Sequence, residues 1–474
     1  MIHAEHAIDA LGIRRGEDHV TRISRFTVRT SGRRVFRRCL RKWGFQSSMR
    51  MNLQRKGTEQ NINFWFGSAI HFAMEDFFGY NRFGDPVKAF QAYYAAFPTE
   101  ERPLGADEHY YLGMGMLNYF KEWYARHNAD PQFQTVWLDE NNNEVAPGTE
   151  GARPLVEESF MLDLGIKVWV REDTEEIINI KKVELHEESP GRYYFLETPD
   201  LTEGLVLEPK KVYVSEVPIY YHGTMDRIVK DKKGRWWIMD WKTAKSADTN
   251  KLETDDQISA YMWAGEQWLG HPIHGFVYVQ LTKDLPKPPR RLANGNISVD
   301  KKQKTTYALA KAEIIKDYGE VRKAPVKYID FLNYLASLET PEGDRFVRWD
   351  FVLRNKAQKE ATYRHILGEV SLMIDPDLYL FPNPTRDCIW DCPFRDACLL
   401  MDQGKEEEAV AWLEAEFEQR PREEDGNIEP WRERIPWPET GSNAIGTLVE
   451  EMSYGADETL NIILPDKYKD ILTD

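Results

Sequence analysis

Four cysteines in 474 residues are too few for a disulfide-built protein, and three of them, Cys388, Cys392 and Cys398, crowd into one short stretch, with Cys39 far upstream. Such clustering points to metal binding before disulfides. No apolar run approaches the roughly 20 residues that cross a bilayer, so no membrane partner is expected. The opening residues, MIHAEHAIDALGIRRGED, hold no apolar signal core. Secretion is therefore not expected, and a cytoplasmic location is. No GxxxxGK[ST] phosphate loop occurs, which excludes an ATP-driven motor of that type. Internal repeats are absent.

What is present reads as an ordinary globular chain, 42% hydrophobic and 30% charged, long enough for one large or two to three ordinary domains. The net charge of −16 argues against a polyanionic partner until its distribution is read. Between Arg14 and Lys56 stand 14 Lys and Arg against Glu17 and Asp18, whereas 19 acidic and 7 basic residues follow from Gln403 onward. Local fields steer a polyanion, so the basic segment keeps nucleic acid open as a partner. The acidic tail would mimic such a polyanion, dock a partner or simply solubilise.

Pattern predicts a basic helical segment over 1–60, around RRVFRRCLRKWGF, and helices over 61–130. Strands are expected over 154–170 and 211–243, from β-branched and aromatic enrichment. The charged, poorly periodic stretch 171–210 between them reads as an insertion. A helix is expected over 255–269, a short buried strand over 275–282 and a Lys/Pro-rich loop after it. Helices are expected over 306–322, 326–338 and 350–372. The corresponding organisation is 1–60, a core over 61–285, a loop and helical region over 286–380, the cysteine segment 381–402 and an acidic tail over 403–474.

The stretch GTMDRIVKDKKGRWWIMDWKTAK, 223–245, carries the chemistry. KDKKG reads as the turn of a hairpin. Pairing about Lys233 sets Asp226 opposite Asp240, and the period of two puts Lys242 on the face of Asp240. Like charges facing each other destabilise a hairpin unless a cation lies between them. Two carboxylates beside a lysine suit Mg²⁺ or Mn²⁺, which holds a phosphate oxygen and activates a water. In FGSAIHFAME, Gly67, His71 and Glu75 share a helix face and offer His71 as a further ligand. In DDQISAY, Gln257 and Tyr261 also share a face and would present an amide and a phenol to a phosphate.

The order Gly67-x3-His71, Glu216 ahead of Gly223-x2-Asp226, Asp240-x-Lys242 and Gln257-x3-Tyr261 resembles the RecB-like branch of the PD-(D/E)XK nucleases. The resemblance spans roughly 200 residues and implies an α/β fold, a mixed sheet flanked by helices. It implies a metal-dependent deoxyribonuclease, a phosphodiester hydrolase acting as an exonuclease at DNA ends or in single strands. His71, Asp226 and Asp240 would bind Mg²⁺ or Mn²⁺, Lys242 would position or activate the water, and Gln257 and Tyr261 would contact the active site and DNA. The insertion leaves Glu157, Glu158 and Glu216 without assigned roles. A helicase or recombination protein would be the partner, since unwinding must come from elsewhere, and a phage source in a host cytoplasm is expected. The alternative is a catalytically silent DNA-binding or scaffold protein that retains the fold; a broken motif would mark it, and none is broken.

On their own, Cys39 and the Cys388-x3-Cys392-x5-Cys398 trio suit Zn²⁺ or an iron–sulfur cluster. One distant cysteine plus a tight trio is unusual for zinc and is similar to the iron–sulfur RecB-like nucleases, CRISPR-associated and AddB-type. The resemblance implies a [4Fe–4S] staple, although the family commonly has a gap of two where this chain has three. Such a staple would hold Arg37, Arg38, Arg41 and Lys42 over the core to grip DNA phosphates. Trp43 and Phe45 would stack on bases or pack in a core.

Overall fold

The structure, a computed structural model, describes residues 23–57, 61–127, 132–197, 208–245, 252–420 and Ile435. Its fold is mixed α/β, with a large mixed sheet and eleven α-helices among the described residues. The described residues fall into two compact units. One is drawn from Met1–Thr58, Ser159–Gly223 and Asn355–Asn427, the other from Glu59–Glu158, Thr224–Arg354 and Ile428–Asp474.

In the second unit the strand Trp236–Ala244 is central. It is buried on both faces over its first six residues, as its nearly unbroken apolar sequence demands. It runs antiparallel to the end of the strand Lys210–Asp231, with Arg227 opposite Met239 and Lys230 opposite Trp236. That register is the one expected from a turn about Lys233. Asp231 builds the turn by accepting the backbone N–H of both Lys233 and Arg235, and Gly234 takes the left-handed backbone (φ +74°) it requires. On its other side the central strand runs parallel to Ile273–Thr282, with Asp240 beside Tyr278. The helix Asp256–Leu269 makes the crossover that a parallel pair needs. Asp255 caps it by accepting the N–H of Gln257, and Gly270 ends it in the left-handed conformation.

A further strand, Val347–Val352, lies antiparallel to Ile273–Thr282, with Trp349 opposite Val279. This corrects the helix expected from residue 350. VRWDFV alternates apolar and charged residues, buries Val347, Trp349 and Val352, and the helix starts only at Lys356, behind the Asn355 cap. Helices Ile62–Glu75, Pro86–Ala95 and Ala106–His127 pack on the sheet through Trp65, Phe66, Phe72, Trp123, Trp241 and Trp349.

In the first unit, helices Thr30–Arg38 and Leu40–Gln46 meet at Cys39, whose backbone is extended. The stretch 171–210, expected as an insertion, is strand-rich where it is described, and its residues 198–207 lie outside the described residues. Strands His186–Ser189 and Arg192–Glu197 pair with each other, and the latter pairs with 210–214. The charges that mask its periodicity lie on exposed positions, while Phe195, Val212 and Val214 form a small core. Trp43 and Phe45 are core residues, 3% and 1% exposed, so neither stacks on bases. The start of the acidic tail is ordered as the helix Glu406–Glu416 and strand Phe417–Gln419; the tail beyond Arg420, apart from Ile435, lies outside the described residues.

Candidate active site

Three elements of the second unit converge at the end of the hairpin. The helix Ile62–Glu75 supplies His71, the start of the strand Val156–Arg171 supplies Glu157, and the hairpin supplies Asp226, Asp240 and Lys242. His71 Nδ1 lies 3.0 Å from Glu157 Oε1 and 3.7 Å from Asp226 Oδ2. The ligand atoms of His71, Glu157 and Asp226 all fall within 4.8 Å of one another, the spacing of donors around one cation. Asp226 also accepts the backbone N–H of Trp241 at 2.8 Å, which fixes the residue between Asp240 and Lys242. Lys242 Nζ stands 2.9 Å from both oxygens of Asp240. Only Oδ1 receives a well-aligned hydrogen bond, and Oδ2 is buried with none.

Burial makes these charges costly and sets their protonation. Burial and the charge of Asp226 push the Asp240 carboxyl up to about 6, against the pull of Lys242. Burial likewise raises Asp226, opposed by His71 and Lys242. Burial alone would lower His71, but Asp226 and Glu157 outweigh it and hold the imidazole up to about 9. Lys242 is raised too, because Asp240 and Asp226 overcome its desolvation, so its Nζ stays an ammonium. The phenol of Tyr261 is near enough to act on that charge. Gln257 stands one turn earlier on the same helix, half-buried.

Sequence reading named Glu157 without assigning it a role. Its backbone sits in the left-handed region, φ +51°, which is uncommon for a residue with a side chain. This local break in the strand turns its carboxylate to His71, and no periodicity announces it. Glu158 turns instead to Arg153. Glu216, ahead of Gly223 in the motif order, belongs to the first unit, where it is exposed and paired with Lys167 at 2.7 Å.

The family model of the PD-(D/E)XK nuclease superfamily matches residues 30–399. The chain belongs to the PD-(D/E)XK nuclease superfamily. No curated protein compared with the chain matches it significantly. Nucleases of this superfamily use divalent metals such as Mg²⁺ or Mn²⁺, and the His71 group is a carboxylate and histidine set of that chemistry. The family assigns a nuclease fold, and with it a hydrolase. No helix among the described residues is long and apolar enough to cross a membrane.

The four cysteines lie in the first unit as free thiols. Cys392 and Cys398 both feel Cys39, and Cys392 also feels Cys388. Each sulfur receives an N–H donor: Lys42 N on Cys39 and Thr385 N on Cys388, both at 3.4 Å, Phe394 N on Cys392, and Arg41 Nη1 on Cys398 at 3.2 Å. The basic residues expected to grip DNA are engaged around this segment. Arg41 is 8% exposed and bonds Asp402 at 2.7 Å. Arg38 pairs with Asp387 and Asp391, Lys42 with Asp391, and Arg37 with Glu369. Arg41, expected to grip phosphate, is a buried guanidinium bonded to both Cys398 and Asp402 beside the cysteine group.

Proposed function

We propose that the chain is a metal-dependent deoxyribonuclease of the RecB-like, iron–sulfur kind, hydrolysing phosphodiester bonds at DNA ends or in single strands. The observation that carries this reading is the His71–Glu157–Asp226 group, half-buried at its first two members and buried at Asp226, set against the Asp240–Lys242 pair. Two buried carboxylates share the end of one hairpin, and Asp240 Oδ2, ion-paired with Lys242 at 2.9 Å, accepts no aligned hydrogen bond, so it would keep a lone pair for a metal ion. His71, Glu157, Asp226 and Asp240 would hold Mg²⁺ or Mn²⁺. A bound ion of that kind neutralises phosphate charge and lowers the pKa of a water. Lys242 is held as an ammonium, so it orients the attacking water and donates to the phosphate oxygens rather than removing a proton. Tyr261 and Gln257, on one helix face, orient the scissile phosphate.

The cysteine group supports the iron–sulfur part. The N–H donors to each sulfur fit a cluster, whose thiolates such donors stabilise. A helicase or recombination partner would supply unwinding, and a phage origin fits the same class.

The test is digestion of 5′- and 3′-labelled single- and double-stranded DNA with Mn²⁺. Cleavage by the wild type and none by Asp240→Ala supports the reading, and full activity in Asp240→Ala overturns it. For the cluster, anaerobically purified protein should carry about four irons per chain with visible absorption; zinc in their place would refute it.

A further inference from the structure

The helix Ile62–Glu75 leaves one stripe open. Trp65, Phe66, Ala69, Ile70, Phe72 and Ala73 are buried, while Phe64, Gly67, Ser68 and His71 are not. A Cβ built on Gly67 would meet nothing within 4 Å, so the stripe faces open space. Phe64 lies seven residues before His71, two turns away on nearly the same side and about 10.5 Å along the axis. It is 76% exposed, unlike the aromatic residues Trp65 and Phe66 that follow it. An isolated exposed aromatic needs no explanation by itself; its surroundings supply one.

The end of the central strand reaches the same spot by a second route. Lys242 sits two residues before Ala244, whose carbonyl accepts the backbone N–H of Lys283 at 2.7 Å. Lys283 Nζ then bonds Asn63 Oδ1 at 3.0 Å, next to Phe64, and lies 5.1 Å from the Phe66 ring centre. Lys245 adds a second ammonium whose charge Lys283 feels. Among the described residues, neither lysine pairs with a carboxylate. An exposed aromatic face, flanked by two lysines and leading to the metal-site histidine, combines what binds unpaired nucleotides: stacking for the bases and positive charge for the backbone.

We infer that Phe64 is the platform on which an unpaired base of the DNA substrate stacks, about three nucleotides from the scissile phosphate at a stacked rise of about 3.4 Å, with Lys283 holding the adjoining phosphate. This rests on the reading of the chain as a DNA nuclease. It makes single-stranded DNA the preferred substrate, because a paired base offers no free face.

The test is the fluorescence anisotropy of a labelled single-stranded deoxyoligonucleotide without added divalent ion, where binding is read apart from cleavage. Phe64→Ala should bind about five- to a hundredfold more weakly than the wild type, and Phe64→Trp should restore binding. An abasic site at the stacked position should weaken the wild type and leave Phe64→Ala unchanged. Lys283→Ala should lower the salt dependence of binding. Wild-type affinity in Phe64→Ala, with cleavage intact in Mn²⁺, overturns this inference and leaves the nuclease reading standing. A wild type that neither binds nor cleaves DNA overturns both.

Discussion

Asp226 accepts the backbone N–H of Trp241 at 2.8 Å, tying one strand of the hairpin to the residue between Asp240 and Lys242 on the other. The same carboxylate lies 3.7 Å from His71. Trp241 is fully buried and stacks on Phe78, with ring centres 5.5 Å apart, so the joint is rigid. One carboxyl group thus joins the fold of the site to its charge.

This double role separates two substitutions. Asp226→Asn keeps an oxygen for the Trp241 amide and removes the charge; it should fold with near-normal stability and lose nuclease activity. Asp226→Ala also orphans a buried N–H, and should cost about 1–3 kcal/mol of stability as well. Urea denaturation of both, beside a cleavage assay, checks the split.

Glu157 and Glu158 are neighbours with opposite fates, one turned to His71 and the other to Arg153. Glu157→Gln should lower Mn²⁺ affinity by about 10- to 100-fold, whereas Glu158→Gln should leave it nearly unchanged. Calorimetric titration with Mn²⁺ distinguishes the two.

The protonation of His71 predicts a proton cost for metal binding. Held up to about 9, the imidazole carries its proton at pH 7.5 and must release it to act as a ligand. Mn²⁺ binding there should release about one proton, seen as a dependence of the apparent enthalpy on the ionisation enthalpy of the buffer. Affinity should rise with pH toward 9, and fall further below about 6 as Asp240 also takes up a proton. The metal-free protein runs the other way. A raised histidine pKa favours folding below the unfolded value of about 6.5, and that contribution is lost as pH rises through 9.

Arg41 gives a test of the cysteine segment. Arg41→Ala removes the donor to Cys398 and the partner of Asp402. It should lower thermal stability and metal retention while leaving the salt dependence of DNA binding unchanged, because a buried guanidinium releases no counterions.

Much of this was legible in the sequence because it is local or periodic. The Asp226–Asp240 pairing follows from turn chemistry about Lys233 and the period of a strand. The spacing of four that joins Gln257 to Tyr261 follows from the period of a helix. Glu157 was not legible, since its role depends on a left-handed backbone that no pattern encodes. The burial of Arg41 was not legible for a related reason: charge density gives the sign of a segment and not which guanidinium is buried against a cysteine. The strand Val347–Val352 was lost because six alternating residues directly precede a strong helix.

The most direct test pairs Mn²⁺ binding with cleavage in two variants. The account predicts that Asp226→Ala loses both, whereas Lys242→Met still binds Mn²⁺ and no longer cleaves DNA, because the lysine acts on water and phosphate while the carboxylates hold the ion. Wild-type cleavage by Asp226→Ala, or wild-type protein that binds no Mn²⁺, would contradict it.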